Sequence, residues 1–175
     1  YKYVTDKDSQ ITLKEFEKVA KQKELLFMAH LSHPNEMRPK VFVEAVREIQ
    51  NAGAKIKTQS PLLNRINASA EVWSLMWSKQ LQLGMIPYYM FVPRPTGPRD
   101  YFAVSLGQAF EIFTKAKDQV GEPMPHLKGP VMSASEGKVQ VKGAMRQAED
   151  QWSYDLQMVR ARQQNQRGQV FAGQS

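Results

Sequence analysis

The chain has 175 residues, 42% hydrophobic and 23% charged, with a formal net charge of +7. That is enough apolar material for one globular core and shows no bias towards disorder. The absence of cysteine excludes a disulfide framework and a thiolate metal site built from this chain alone. Apolar runs such as Leu25 to Ala29 and Met85 to Val92 are too short to span a bilayer, and no leader-like segment opens the sequence, so a soluble, cytoplasmic protein is expected.

Residues 9 to 20 place Leu13, Phe16, Val19 and Ala20 on one helical face, with Thr5 and Asp8 as caps. Glu24 to Ala29 predicts a short buried strand, followed by the polar loop His30-Leu31-Ser32-His33-Pro34-Asn35-Glu36. Pro39 opens the next helix, Phe42, Ala45, Val46 and Ile49 form its core stripe, and Gly53 closes it. The pattern recurs as a strand near Ala54 to Thr58, a loop through Asn67, and a helix on Val72, Leu75 and Met76 stopped by Gly84. It recurs again as a strand over Ile86 to Val92, a loop from Pro93 to Arg99, and a helix on Leu106, Ala109, Phe110 and Phe113 with Gly121 beyond it. Strand starts about 30 residues apart match one strand-helix-strand crossover, which predicts an α/β protein with parallel strands.

After Pro123 and Pro125, Gly129 to Met132 and Lys138 to Val141 predict two short β segments around Ser133 to Gly137. From Ala144 the sequence is polar and reads as a helical tail until Gly168, with a thin apolar stripe suited to packing on a neighbour. Arg146, Arg160, Arg162 and Arg167 share that stretch with Glu149, Asp150 and Asp155, which predicts a solvated helix face or an interface. The charge alone invites a basic binding module, but an RNA-binding aromatic signature, a GXXG clamp and a zinc knuckle are all missing, so nucleic acid is not the expected partner.

Catalytic groups in parallel β/α barrels come from the carboxy-terminal ends of the strands. Here those positions hold His30, His33, Asn35 and Glu36, then Gln59, Ser60, Asn64 and Asn67, then Arg94 and Arg99 after Tyr88, Tyr89 and Phe91. His30, His33 and Glu36 admit a metal reading, against which stand the non-helical spacing, Pro34, and a role in capping or ligand orientation. No Gly-x-Ser-x-Gly elbow is present. Lys138, at a turn of small residues, reads either as a solvated charge or as the lysine that a pyridoxal-phosphate enzyme requires.

Five segments taken together go further: His30 to Glu36, Asn51-Ala52-Gly53-Ala54, Gln59-Ser60-Pro61-Leu62-Leu63, Ile66-Asn67 and Pro87-Tyr88-Tyr89. In order and spacing they resemble the second half of the lysine 2,3-aminomutases, and Gly129 to Lys138 resembles that family's pyridoxal-lysine turn. The resemblance covers residues 1–142 and implies the carboxy-terminal part of a radical-S-adenosylmethionine (β/α) barrel, with residues 143–175 as a helical or irregular tail. It implies three cofactors: a [4Fe-4S] cluster whose ligands are not in this chain, S-adenosylmethionine, and pyridoxal 5'-phosphate. The activity implied is migration of an amino group from the α to the β carbon of an amino acid. His30 and Gln59 match positions that contact S-adenosylmethionine, Phe91 matches an aromatic beside the two cofactors that is usually tyrosine, and Lys138 matches the pyridoxal-bearing lysine.

The departures carry information too. Lysine-specific members place aspartates where this sequence has Arg94 and Ser133, and a cation there repels a lysine side chain. An acidic or neutral amino acid is therefore the expected substrate, with Arg94 as a carboxylate clamp. The first residue is Tyr1 and no strand precedes the first helix, which predicts a fragment, inactive alone, whose partners are the amino-terminal half of the barrel and further copies in a homo-oligomer. A basic β/α binding module or a catalytically degenerate relative is the alternative.

Overall fold

The computed structural model describes residues 7–93, 99–135, 137–148 and 151–161. Its elements run α1 (Lys7–Ala20), β1 (Leu25–His30), a 3-10 turn (Pro34–Met37), α2 (Lys40–Asn51), β2 (Ala54–Pro61), α3 (Ala70–Gln82), β3 (Ile86–Phe91), α4 (Arg99–Phe102), α5 (Leu106–Val120), β4 (Lys128–Ser133), β5 (Gly137–Ala148) and β6 (Gln151–Ala161). The strands form one mixed six-stranded sheet in sequence order. β1 to β4 are mutually parallel, while β5 and β6 join antiparallel. The expected α/β class and its parallel crossovers are present.

Alternation along the strands separates two faces. On β2, Ala54, Ile56, Thr58 and Ser60 are buried, while Lys55, Lys57, Gln59 and Pro61 point the other way. On β1, Leu25, Phe27 and Ala29 pack on the core, whereas Leu26 and Met28 are exposed. The core side is closed by helices. α2 buries Phe42, Ala45, Val46 and Ile49, the stripe its sequence predicts, and starts after Pro39 in an extended conformation. Gly53 follows with φ +86, and a Cβ there would meet the Ala20 Cβ at 2.6 Å, so the α2–β2 turn needs glycine for both conformation and space.

α3 is capped by Ser69, whose side chain accepts from the Val72 amide, and turns Trp73, Met76 and Trp77 inward. Its buried face is therefore centred on the two indoles, and Leu75, assigned to the core from the sequence, is 47% exposed. Val19 of α1 is likewise 44% exposed. Trp77 sits edge-on to Phe113 of α5 at 5.8 Å. Each buried indole removes about 200 Å² from water, roughly 5 kcal/mol of gross hydrophobic gain. α5 begins at the Ser105 cap and, as its sequence predicts, has Gly121 beyond it, in the left-handed region.

The expected helical tail is not formed over the described residues. β5 continues without a break across positions 142–143 to Ala148, and β6 returns from Gln151 to Ala161. Trp152, Tyr154, Leu156 and Met158 alternate with Ser153, Asp155 and Gln157, a period of two that outweighs the helix-prone Gln-rich composition. Trp152 docks on α5, where a Cβ at Gly107 would lie 2.6 Å from its ring. Arg146 and Arg160 accordingly sit on strands, and Arg162 and Arg167 lie outside the described residues. Among the described residues no helix is long and apolar enough to cross a membrane.

Candidate active site

The loops after β1 and β2 are fixed by their own polar side chains. Glu36 Oε1 accepts from the Ser32 and His33 amides at 2.6 and 2.8 Å, and His33 Nδ1 accepts from the Asn35 amide at 3.2 Å. This is a capping box around the 3-10 turn, so His33 and Glu36 serve the loop's backbone. Asn67, 1% exposed, joins the two loops. Its Nδ2 donates to the Ser32 and Pro61 carbonyls, both at 2.8 Å, while its Oδ1 accepts from the Leu63 amide at 2.7 Å. Among the described residues no group of three or more His, Asp or Glu side chains comes together at metal-binding range.

Those loops hold the strand ends in register. His30 lies opposite Gln59 on β2, and the Leu31 amide extends the ladder to the Gln59 carbonyl at 3.2 Å. A bulge between Thr58 and Gln59 then brings Gln59 opposite Tyr89 of β3. Beyond β4, Ala134 and Gly137 exchange backbone hydrogen bonds of 2.8 and 3.3 Å, a tight reversal with Gly137 at φ 146. That reversal sets Lys138 opposite Ser133. Lys138 Nζ reaches back over β3 to lie 4.5 Å from the ring centres of both Tyr89 and Phe91. The two rings are 5.0 Å apart, and a cation over such π faces gains about 0.5–2 kcal/mol.

The sequence-derived candidates thus fall into two groups. His30 and Gln59 are lateral neighbours, and Phe91, Lys138 and Ser133 form the second group. Tyr89 links them, being opposite Gln59 and in contact with Lys138 and Phe91. It was visible in Pro87-Tyr88-Tyr89, but nothing in the sequence announced the bulge that gives it this place. Arg94 lies outside the described residues. Lys57 and Lys128, absent from the sequence-derived set, stand over the Tyr88 ring at 4.7 and 5.7 Å. The signal available for Lys57 was its parity with Gln59 along β2. The Tyr88 phenol is more acidic than an ordinary tyrosine. A hydrogen bond with Tyr89 contributes most, burial opposes it, and the charges of Lys128, Lys57 and Lys138 add to it.

A parallel β/α sheet that gathers its polar residues at the carboxy-terminal strand ends is an arrangement used by many enzymes, and comparison with known proteins narrows the class to relatives of isomerase type. No family model matches the chain. It is 26% identical over 140 residues to an Aquifex aeolicus protein described as "Putative L-lysine 2,3-aminomutase", covering 80% of this chain and 37% of that protein. It is also 26% identical over 88 residues to L-lysine 2,3-aminomutase of Haemophilus influenzae, covering 50% of this chain and 26% of the relative. The Escherichia coli L-lysine 2,3-aminomutase is 27% identical over 89 residues, 51% of this chain and 26% of the relative. More particularly, then, the chain has a lysine 2,3-aminomutase-like family relationship, and it spans little more than a third of the first of these relatives.

Proposed function

We propose that these residues form the carboxy-terminal part of the active site of a radical-S-adenosylmethionine, pyridoxal-phosphate-dependent amino acid 2,3-aminomutase whose substrate is not lysine. The observation that carries the reading is Lys138, whose Nζ lies 4.5 Å from the ring centres of Tyr89 and Phe91. A lysine beside two aromatic faces fits pyridoxal phosphate: Lys138 would hold it covalently, with Tyr89 and Phe91 as walls. When bound, that cofactor supplies a conjugated ring that delocalises electrons from the substrate. His30 and Gln59, adjacent across β1 and β2, offer an imidazole and an amide side by side, a donor and acceptor set that fits S-adenosylmethionine. The chain has no cysteine, so its own residues do not fit an iron–sulfur cluster, whose ligands would come from elsewhere in the protein.

In this reading the chain binds, orients and excludes water. Tyr89, 7% exposed, gives Lys138 Nζ a buried π face to lie against. Asn67 keeps the His30 and Gln59 strand ends in one geometry. Ser133 opposite Lys138 supplies no negative charge for a substrate ammonium, and Arg94 would clamp a substrate carboxylate. β1 to β4 would be part of a larger barrel completed by the amino-terminal half, in a protein that assembles as a homo-oligomer.

The test is anaerobic reconstitution of the full-length protein with iron, sulfide and pyridoxal phosphate, followed by borohydride reduction and peptide mapping. A pyridoxyl mark on Lys138 that disappears in Lys138→Arg is the expected result, and a mark on another residue, or none, sinks the assignment. Turnover of acidic amino acids should fall in Arg94→Ala. Unchanged turnover would remove Arg94 from the site.

A further inference from the structure

The face that carries Lys138 holds a second group of polar side chains, nearer the amino-terminal ends of the parallel strands. Lys57 on β2 and Lys128 on β4 place their ammonium groups 4.7 and 5.7 Å from the centre of the Tyr88 ring. Tyr88 and Tyr89 are in contact, with ring centres 4.2 Å apart and hydroxyls 3.5 Å apart. Tyr89 is the donor in that hydroxyl pair, so Tyr88 keeps its own proton to donate elsewhere.

Two ammonium groups that reach one ring from different strands repel each other, and an acidic neighbour would normally offset this. Neither Lys57 nor Lys128 takes part in the ion pairs Lys18–Glu15 and Lys55–Glu24. Glu24, the carboxylate whose acidity the Lys57 charge reinforces, is already engaged by Lys55 at 2.8 Å. Among the described residues the cluster therefore has two compact cations and a phenol proton, with no carboxylate in ion-pair contact with either lysine.

We propose that Lys57, Lys128 and the Tyr88 hydroxyl form a subsite for an oxyanion, the carboxylate or phosphate group of a ligand that extends along the Tyr88–Tyr89 rings towards Lys138. Ammonium groups suit such a group as freely orienting point charges, and the phenol adds one directed hydrogen bond. The enhanced acidity of Tyr88 is consistent with this, since a more acidic phenol is a stronger donor. Binding of the anion does not depend on the aminomutase reading. Only the identity of the ligand's other end at Lys138 rests on it.

The experiment titrates the Tyr88 phenol of the full chain by near-ultraviolet difference absorbance against Tyr88→Phe, in the presence of glutarate or of inorganic phosphate. A bound anion partly neutralises the lysines, so the Tyr88 titration should move saturably to higher pH. A response to glutarate alone identifies a carboxylate subsite, and a response to phosphate alone a phosphate subsite. Lys57→Gln/Lys128→Gln should weaken the response at least tenfold, while Lys57→Arg/Lys128→Arg retains it. If the double glutamine variant loses its circular dichroism, single Lys128→Gln carries the comparison. No saturable shift with either anion, or the same shift in a folded glutamine variant, overturns the proposal. A pyridoxyl mark at Lys138 without an anion response sinks this subsite alone, and an anion response without the mark sinks the aminomutase reading alone.

Discussion

The two faces of the sheet are built from alternate residues of the same strands yet meet different demands. Towards the helices, Ile56 and Thr58 of β2 lie in a buried core with Trp73, Met76 and Trp77, where the Thr58 hydroxyl donates to Gln80 Oε1 at 2.7 Å. Towards the opposite face, the intervening Lys57 and Gln59 join Tyr88, Tyr89, Phe91 and Lys138. Packing and the proposed site are thus divided by residue parity. The bulge at Thr58/Gln59 is what lets both Tyr88 and Tyr89 serve the chemical side. One inserted residue changes which ring faces Gln59, without moving the helices.

The division can be broken most sharply at Trp77. Trp77→Ala should cost about 3–5 kcal/mol in urea unfolding, because it opens a cavity in a tightly packed core. A loss below about 1 kcal/mol would show that the helix side is not where stability resides. At Gly129, a Cβ would lie 2.8 Å from Phe113 Cε2 and 2.9 Å from Met90 Cβ. Gly129→Ala should therefore destabilise by about 1–3 kcal/mol through overpacking, with its midpoint restored in part by Phe113→Leu. Asn67→Ala leaves the Leu63 amide and two carbonyls without their partner, which should cost about 1–3 kcal/mol. Amide exchange at Leu63 should quicken more than at Ile56, since the rim loosens before the core.

The smallest effect is a pH dependence. Tyr88 is depressed below its usual value of 10.0, so between its folded and unfolded values the unfolded state binds more protons, and stability rises with pH across that alkaline window. The gain is lost as pH falls through the folded value. Tyr88→Phe should flatten the rise, and an identical slope in the variant would show that other groups produce it.

Most of the parallel β/α part was legible because its signals are local. Phe42, Ala45, Val46 and Ile49 declare a helical stripe, and Gly53, Gly84 and Gly121 each mark a chain reversal with positive φ. Leu75 was misplaced because spacing on α3 allows two faces, and the two indoles decide between them. Lys138 to Val141 was read correctly as β, but the rest of β5 and all of β6 were misread for a different reason. The hairpin's polar Gln-rich composition favours a helix, while its alternation is interrupted by register shifts at Lys138/Val139, Val141/Gly143 and Arg146/Ala148. At the site, His30, Gln59, Phe91 and Lys138 could be proposed from the family resemblance that the motifs carry. The roles of Tyr89, Lys57 and Lys128 required the register between strands that are distant in sequence.

The contact between Gly107 and Trp152 has a bearing on how such a chain can diverge. The indole occupies the space a side chain at position 107 would need, at 2.6 Å from its first carbon. The two positions therefore behave as a lock whose parts must be recut together: a larger residue at 107 needs a smaller one at 152. A large side chain at 107 with Trp152 unchanged would push the β5–β6 hairpin off α5.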